Sequence, residues 1–303
     1  MKMLKKTRKT KRKGRRGMRL NEINIRDPFV LNEDGTYYMY GTRGAGFGVN
    51  TGGFDVYMSA DLEEWSGPHE CFNSTLYSMN RGANWAPEGH AYRGAYYMFA
   101  TFLQLDGLRG TYILRSDSPL GPFEPHSTGA VTPGGWECLD GTLYVEDGVP
   151  YLVFCHEHTQ ITDGGMCYIK LRDDLTISEG EPVTLFHASE PHYVNDVEKR
   201  KKDGDHFVTD GPFMYRTDTG ELLMLWSTFI CGQYAECQVL FEGGTIKGNF
   251  RHLDPIADED GGHGMLFRAE NQLYLTYHTP NASTKERPVF IKVRDTGKSI
   301  EKE

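Results

Sequence analysis

The stretch "NIRDPFVLNEDGTYYMYGT", Asn24 to Thr42, decides how the chain is read. Its apolar runs "FVL" and "TYYMYG" are rich in β-branched and aromatic residues, and "NEDG" between them has turn chemistry. A β-hairpin is predicted. Arg26-Asp27-Pro28 puts two charges and a ring-locked backbone at the mouth of that hairpin. Asp and Pro are common in turns, so Asp27 taken alone simply ends a loop. The rest of the chain gives it a second meaning.

The hairpin returns four times, as "APEGHAYRGAYYMFATF" (Ala86 to Phe102), "LDGTLYVEDGVPYLVFCHE" (Leu139 to Glu157), "TDGPFMYRTDTGELLMLWSTF" (Thr209 to Phe229) and "GGHGMLFRAENQLYLTYHT" (Gly261 to Thr279). Each copy opens on a small or Pro/Gly-containing polar cluster. The anchors Asp27, Ala86, Asp140, Asp210 and His263 are 59, 54, 70 and 53 residues apart, room for about four strands per unit, the size of a propeller blade. "FDVYMSADLEEW" and "GTYILRSDSPLGPFEP" supply outer strands, and "MCYIKLRDDL" alternates as a strand does. An all-β, five-bladed propeller over residues 21–300 is expected. A single sandwich gives no reason for five related hairpins. In a propeller the inner strands line a central funnel, so Asp27 stands where one of them enters it.

Composition agrees. The 303 residues are 38% hydrophobic and 12% aromatic, with 35 glycines, which favours a turn-rich β protein. No apolar run of about 18 residues is present, so no membrane span is expected. Residues 1–20 carry 11 Lys or Arg and no acid, leaving 22 basic against 42 acidic residues in the remainder. This basic segment is expected to be a disordered tail, with no nucleic-acid partner, and Met18 is a candidate natural start. It has no apolar segment behind it, unlike a secretory signal. The six cysteines have neither CxxC spacing nor a zinc pattern; free thiols and a cytoplasmic location are expected. No Gly-rich phosphate loop announces a nucleotide or redox cofactor.

With "RDPF", "WAPE" (Trp85 to Glu88), "LDGTLYVEDGVPYLVF", "SPLGPF", "TDGPF" and "GGHGMLF" in this order, one set per blade, the chain resembles family-43 glycoside hydrolases over Asn21 to Pro280. The resemblance implies a five-bladed propeller that hydrolyses arabinofuranosides and xylosides with inversion. The partner implied is an arabinose- or xylose-containing oligosaccharide, with terminal or branching units removed. Inversion uses two carboxyl groups roughly 6.5–9.5 Å apart, one activating water and the other protonating the leaving oxygen. Asp27 matches the family's general base. Asp140 matches the third carboxylate, which orients the acid and, as a like charge, helps keep it protonated.

The general acid departs from the pattern. Where the family shows Glu before Gly-Pro or Ala-Pro, this chain reads Asp210-Gly211-Pro212, one methylene shorter. Upstream, Glu190-Pro191 offers the usual side chain in a loop. The repeat register points to Asp210; side-chain type and the neighbouring proline point to Glu190, which is preferred here, with Asp210 then lining the funnel. Trp85 matches an aromatic residue near the sugar, or else packs within its blade. Glu88 is expected to be a structural inner-ring acid. His263 matches a histidine that in some relatives faces a central metal, often calcium, or water; a hydrogen-bonded histidine is the other reading. His90, His156 and His158 are expected to be ordinary polar positions, and no cofactor is required. Two alternatives stay open. A family-130-like phosphorylase would need a cationic phosphate site, for which Arg26 and Arg43 are candidates. A catalytically silent glycan-binding propeller would need none. The sequence sets no oligomeric state.

Overall fold

Apolar residues stand on both faces of the central strands of the small sheets, so each sheet must be covered twice. The run Leu222–Ile230 shows how. Leu222, Met224 and Trp226 pack toward the preceding sheet, while Leu223 and Leu225 pack toward the following one. Side chains alternate along a strand, so one buried strand serves two cores. The computed structural model describes residues 17–44, 49–77, 81–194, 198–200 and 204–303. It arranges them as five four-stranded antiparallel sheets, the blades of a propeller.

Blade I comprises Ile25–Glu33, Thr36–Arg43, Gly53–Ser59 and Ser66–Asn73; blade II comprises Trp85–Tyr92, Ala95–Leu103, Arg109–Ser116 and Glu124–Pro125. Blade III is Cys138–Glu146, Val149–His156, Gly165–Leu171 and Ser178–His187. A two-stranded hairpin, Glu198–Arg200 with Gly204–His206, precedes blade IV. Blade IV is Asp210–Arg216, Leu222–Ile230, Gln233–Phe241 and Phe250–Ala257; blade V is Gly262–Ala269, Gln272–Thr279, Arg287–Asp295 and Ile300–Lys302. The strands of each blade run in chain order. Among the described residues the only α-helix is the single turn His158–Ile161, and no helix is long and apolar enough to cross a membrane.

The hydrophobic clusters lie between blades. One joins blades V, I and II, including Met265, Tyr40 and Phe102; others fill the II–III, III–IV and IV–V junctions. The ring closes between blades I and V without sharing a strand. Asn24 Nδ2 donates to the Glu286 carbonyl at 2.8 Å, Arg26 pairs with Glu286 at 3.0 Å, and Arg287 Nε donates to the Asn21 carbonyl at 2.9 Å. Residues 1–16 of the basic segment lie outside the described residues. Its end is not a loose tail, however. Met18 exchanges two backbone hydrogen bonds of 2.8 Å with Trp65, and Leu20–Glu22 forms a 3₁₀ turn against blade V.

Candidate active site

Every inner strand opens with the same irregularity. The pairing with the second strand skips between Arg26 and Phe29, Trp85 and Glu88, Asp210 and Phe213, and Gly262 and Met265, with a matching skip in blade III. In each skip one residue takes a left-handed backbone: Asp27 (φ 53°), Ala86 (45°), Asp140 (55°), Gly211 (49°) and His263 (55°). Such a conformation is costly for non-glycine residues and needs support from its surroundings. That support comes from the preceding blade. The backbone N–H of Asp27 donates to His278 Nδ1 at 3.2 Å, of Ala86 to Thr42 Oγ1 at 2.7 Å, of Asp140 to Thr101 Oγ1 at 2.9 Å, and of His263 to Ser227 Oγ at 2.7 Å.

This geometry corrects the repeat register. The blade IV anchor is Gly211, and Asp210 stands one position ahead of it, level with Arg26, Trp85, Leu139 and Gly262. A Cβ on Gly211 would lie 2.6 Å from His263 Cδ2, so the blade IV backbone runs directly against the histidine ring. That close approach lets the short Asp210 side chain reach the axis.

Three carboxyl groups meet on one imidazole nitrogen. His263 Nδ1 lies 3.3 Å from Asp27 Oδ1, 3.6 Å from Asp210 Oδ1 and 3.8 Å from Asp140 Oδ2. The Asp27 and Asp210 oxygens are therefore at most about 7 Å apart, since both face the same atom. Each carboxyl is also held from its other side. Thr42 donates to Asp27 Oδ2 at 2.6 Å, Tyr234 donates to Asp210 Oδ2 at 2.5 Å, and the Gly211 N–H donates to Asp140 Oδ2 at 3.4 Å.

Their protonation differs. Burial opposes ionisation of Asp27, but His263, Arg26 and the Thr42 hydroxyl outweigh it and hold this carboxyl below its ordinary range. Burial and the negative charge of Asp210 push Asp140 well above that range. Burial also opposes ionisation of Asp210, yet the hydrogen bond from Asp140, then His263 and Tyr234, bring it down to about 2. Two like charges this close in a buried site cannot both form. Asp140 and Asp210 thus keep one proton between them, while the neighbours of Asp27 favour its ionised form.

These groups form the floor of a cavity of about 470 Å³. Trp85 lines it, but the Arg109 guanidinium sits over its ring at 5.1 Å, so one indole face is taken. Arg26, Arg43, Phe229 and Asn281 add to the wall, and His158, expected to be ordinary, lines it too. Glu190 does not. It is exposed, lies outside the cavity lining, and its Oε1 accepts the backbone N–H of His187 at 2.8 Å. The preference for Glu190 over Asp210 is therefore corrected: its carboxylate caps its own turn. Glu88 is buried and bonded to His90 at 3.1 Å, and His156 stacks on Trp136.

Asp140, Asp210 and His263 bring three donor atoms within 4.8 Å of one another. Calcium takes six to eight oxygens. This group could hold a metal ion, and a calcium shell there would need further oxygens beside these side chains.

The family model "Glycosyl hydrolases family 43" matches residues 21–295. No curated protein matches the chain. Among solved structures, an endo-arabinase from Bacteroides thetaiotaomicron VPI-5482 is 36% identical with a TM-score of 0.86, and the match covers 94% of this chain and 100% of that one. A thermostable family-43 glycoside hydrolase (22% identity, TM-score 0.78, 92% and 93% covered) shares the fold. So does an endo-1,4-beta-xylanase from Bacteroides thetaiotaomicron VPI-5482 (20%, 0.75, 95% and 96%).

Proposed function

Because the chain belongs to glycosyl hydrolases family 43, we propose that it cleaves α-L-arabinofuranosyl linkages within arabinan, with inversion, using Asp27 as general base and Asp210 as general acid. The observation that carries this reading is the meeting of Asp27, Asp140 and Asp210 on His263 at the floor of the cavity. The choice of arabinan, and of internal rather than terminal cleavage, is supported by the 36% identity to an endo-arabinase along its whole length.

Ionised Asp27 takes a proton from water as the water oxygen attacks the anomeric carbon. The bond from that carbon to the leaving oxygen breaks, and the leaving oxygen takes a proton from Asp210. That proton is the single one the Asp140–Asp210 pair holds, seated on Asp210 when it is transferred. The pair loses one proton and Asp27 gains one, and solvent exchange restores both. Nothing in this sequence calls for a cofactor.

The phosphorylase alternative is disfavoured by the cavity's cations. Arg26 pairs with Glu286, Arg43 with Asp55 at 2.6 Å and Glu70 at 3.3 Å, and Arg109 with Glu137 and, at 2.6 Å, Glu157. Each already has a carboxylate where a phosphate would bind. Five of the six free cysteines are buried, which supports the cytoplasm as the proposed location.

Linear arabinan followed by ¹H NMR, with and without phosphate, tests the proposal. Oligomers whose new reducing ends first appear as the β-anomer, at a rate independent of phosphate, are expected. Retention, free arabinose as the sole early product, or a phosphate requirement would contradict it.

A further inference from the structure

Tyr234, on the third strand of blade IV, comes from no part of the repeat that announces a function, and its ring is 1% exposed. Its hydroxyl donates to Asp210 Oδ2 at 2.5 Å. The ring is gripped from three sides. It stacks on His278 (centroids 5.6 Å apart, planes at 29°), meets Phe229 at 5.3 Å, and lies so close to Gly262 that a Cβ there would stand 2.7 Å from its Cε1.

His278, fully buried, is itself fixed. Its Nδ1 accepts the Asp27 N–H at 3.2 Å, so that nitrogen carries no proton, and Nε2 faces Asn281 Oδ1 at 3.5 Å. In three other blades the anchor partner at this junction is a hydroxyl, Thr42, Thr101 or Ser227. Only beside Tyr234 is it a flat ring.

We propose that Tyr234 is the positioning residue of the proton donor, held in place by the His278 ring and by the space Gly262 leaves. This rests on the reading of Asp210 as general acid. With Oδ2 of Asp210 occupied by the phenol, the transferable proton is confined to Oδ1, the oxygen that faces His263 and shares the cavity floor with Asp140. As Asp210 gives up that proton, its growing charge is met by the donor already at 2.5 Å. The backbone approach at Gly211 sets how far the short side chain reaches; Tyr234 sets how it is turned.

Tyr234→Phe keeps the ring and removes only the hydroxyl. On arabinan and nitrophenyl arabino-oligosaccharides, kcat should fall about 10- to 100-fold, the range of a hydrogen bond to a charged group, with KM little changed. On dinitrophenyl substrates, whose leaving groups need little protonation, the loss should be less than about fivefold. Equal loss on both leaving groups, or none, overturns the proposal. ¹³C NMR titration of the aspartate carboxyls in the folded Phe variant reads the contact without turnover. The Asp210 signal should titrate at higher pH than in the wild type, and an unmoved signal overturns the proposal even if the natural substrate is another glycoside. An inactive wild type with a moved signal would instead reject the arabinan reading alone.

Discussion

Asp27 and Asp140 occupy equivalent positions in blades I and III, yet their surroundings push their protons in opposite directions. Cation-like neighbours and the Thr42 hydroxyl depress Asp27, whereas burial and Asp210 raise Asp140. In the proposed mechanism, activity needs Asp27 ionised and one proton on the Asp140–Asp210 pair. The acid limb of kcat/KM should therefore lie below the ordinary aspartate range, and the alkaline limb should follow the raised pair. In Asp140→Asn the like charge beside Asp210 is gone, so the alkaline limb should move down by more than about one pH unit. Loss of the partner that shares this proton should lower kcat by ~10²-fold or more. A pH–rate profile checks this, and an unmoved limb would remove Asp140 from the proton account. Linkage gives stability the same signs. Asp27, depressed, contributes stability above its ordinary value of 3.8 that is lost as pH falls through its folded value. Asp140, raised, favours the fold at low pH and loses that contribution as pH rises. Asp27 and Asp140 were legible in sequence because they sit on the repeat. Glu190 was misread because a carboxylate before proline looks the same whether it faces a cavity or caps a turn. Thr42, Arg109 and Tyr234 gave no signal, since second and third strands show only alternation.

Between elements, four of the five junctions share one recurring bond, an anchor N–H given to the second strand of the preceding blade; at the III–IV junction the Gly211 N–H goes to Asp140 instead. Ser227 serves twice at the IV–V junction. It accepts the His263 N–H at 2.7 Å and donates to Glu236 Oε2 at 2.8 Å, which also accepts the Gly264 N–H at 2.9 Å. Burial pushes the Glu236 carboxyl up to about 8, so it enters this network protonated near neutrality. Ser227→Ala leaves a buried N–H without a partner, a cost of ~1–3 kcal/mol. A fall in melting temperature of several degrees should follow, with loss of activity because His263 moves. A variant that melts and turns over like the wild type would show that the junction tolerates the gap. The hairpins and their order were readable from turn chemistry and alternating apolar residues. The bulge was not: it lies at the start of each inner strand, ahead of the alternating apolar residues, so their pattern does not mark it, and the blade IV register was placed on Asp210 instead of Gly211.

For the whole molecule, five sheets with two apolar faces each have one economical arrangement, a closed ring in which every face meets a neighbour. That much followed from the repeats. How the ring closes did not, because Asn24, Arg26 and Glu286 are about 260 residues apart in the chain and no local pattern links them. The closed ring is what brings Asp27, Asp140 and Asp210, from blades I, III and IV, to a single nitrogen of blade V. We propose that this convergence, with Asp210 and not Glu190, supplies the leaving-group proton. Its most direct test compares Asp210→Asn and Glu190→Gln on nitrophenyl and dinitrophenyl glycosides of arabinose oligosaccharides. Asp210→Asn should lose ~10²–10⁴-fold on the nitrophenyl substrate and recover most of it on the dinitrophenyl one, while Glu190→Gln stays near the wild type on both. The reverse pattern, with Glu190→Gln showing the leaving-group rescue, would contradict the assignment.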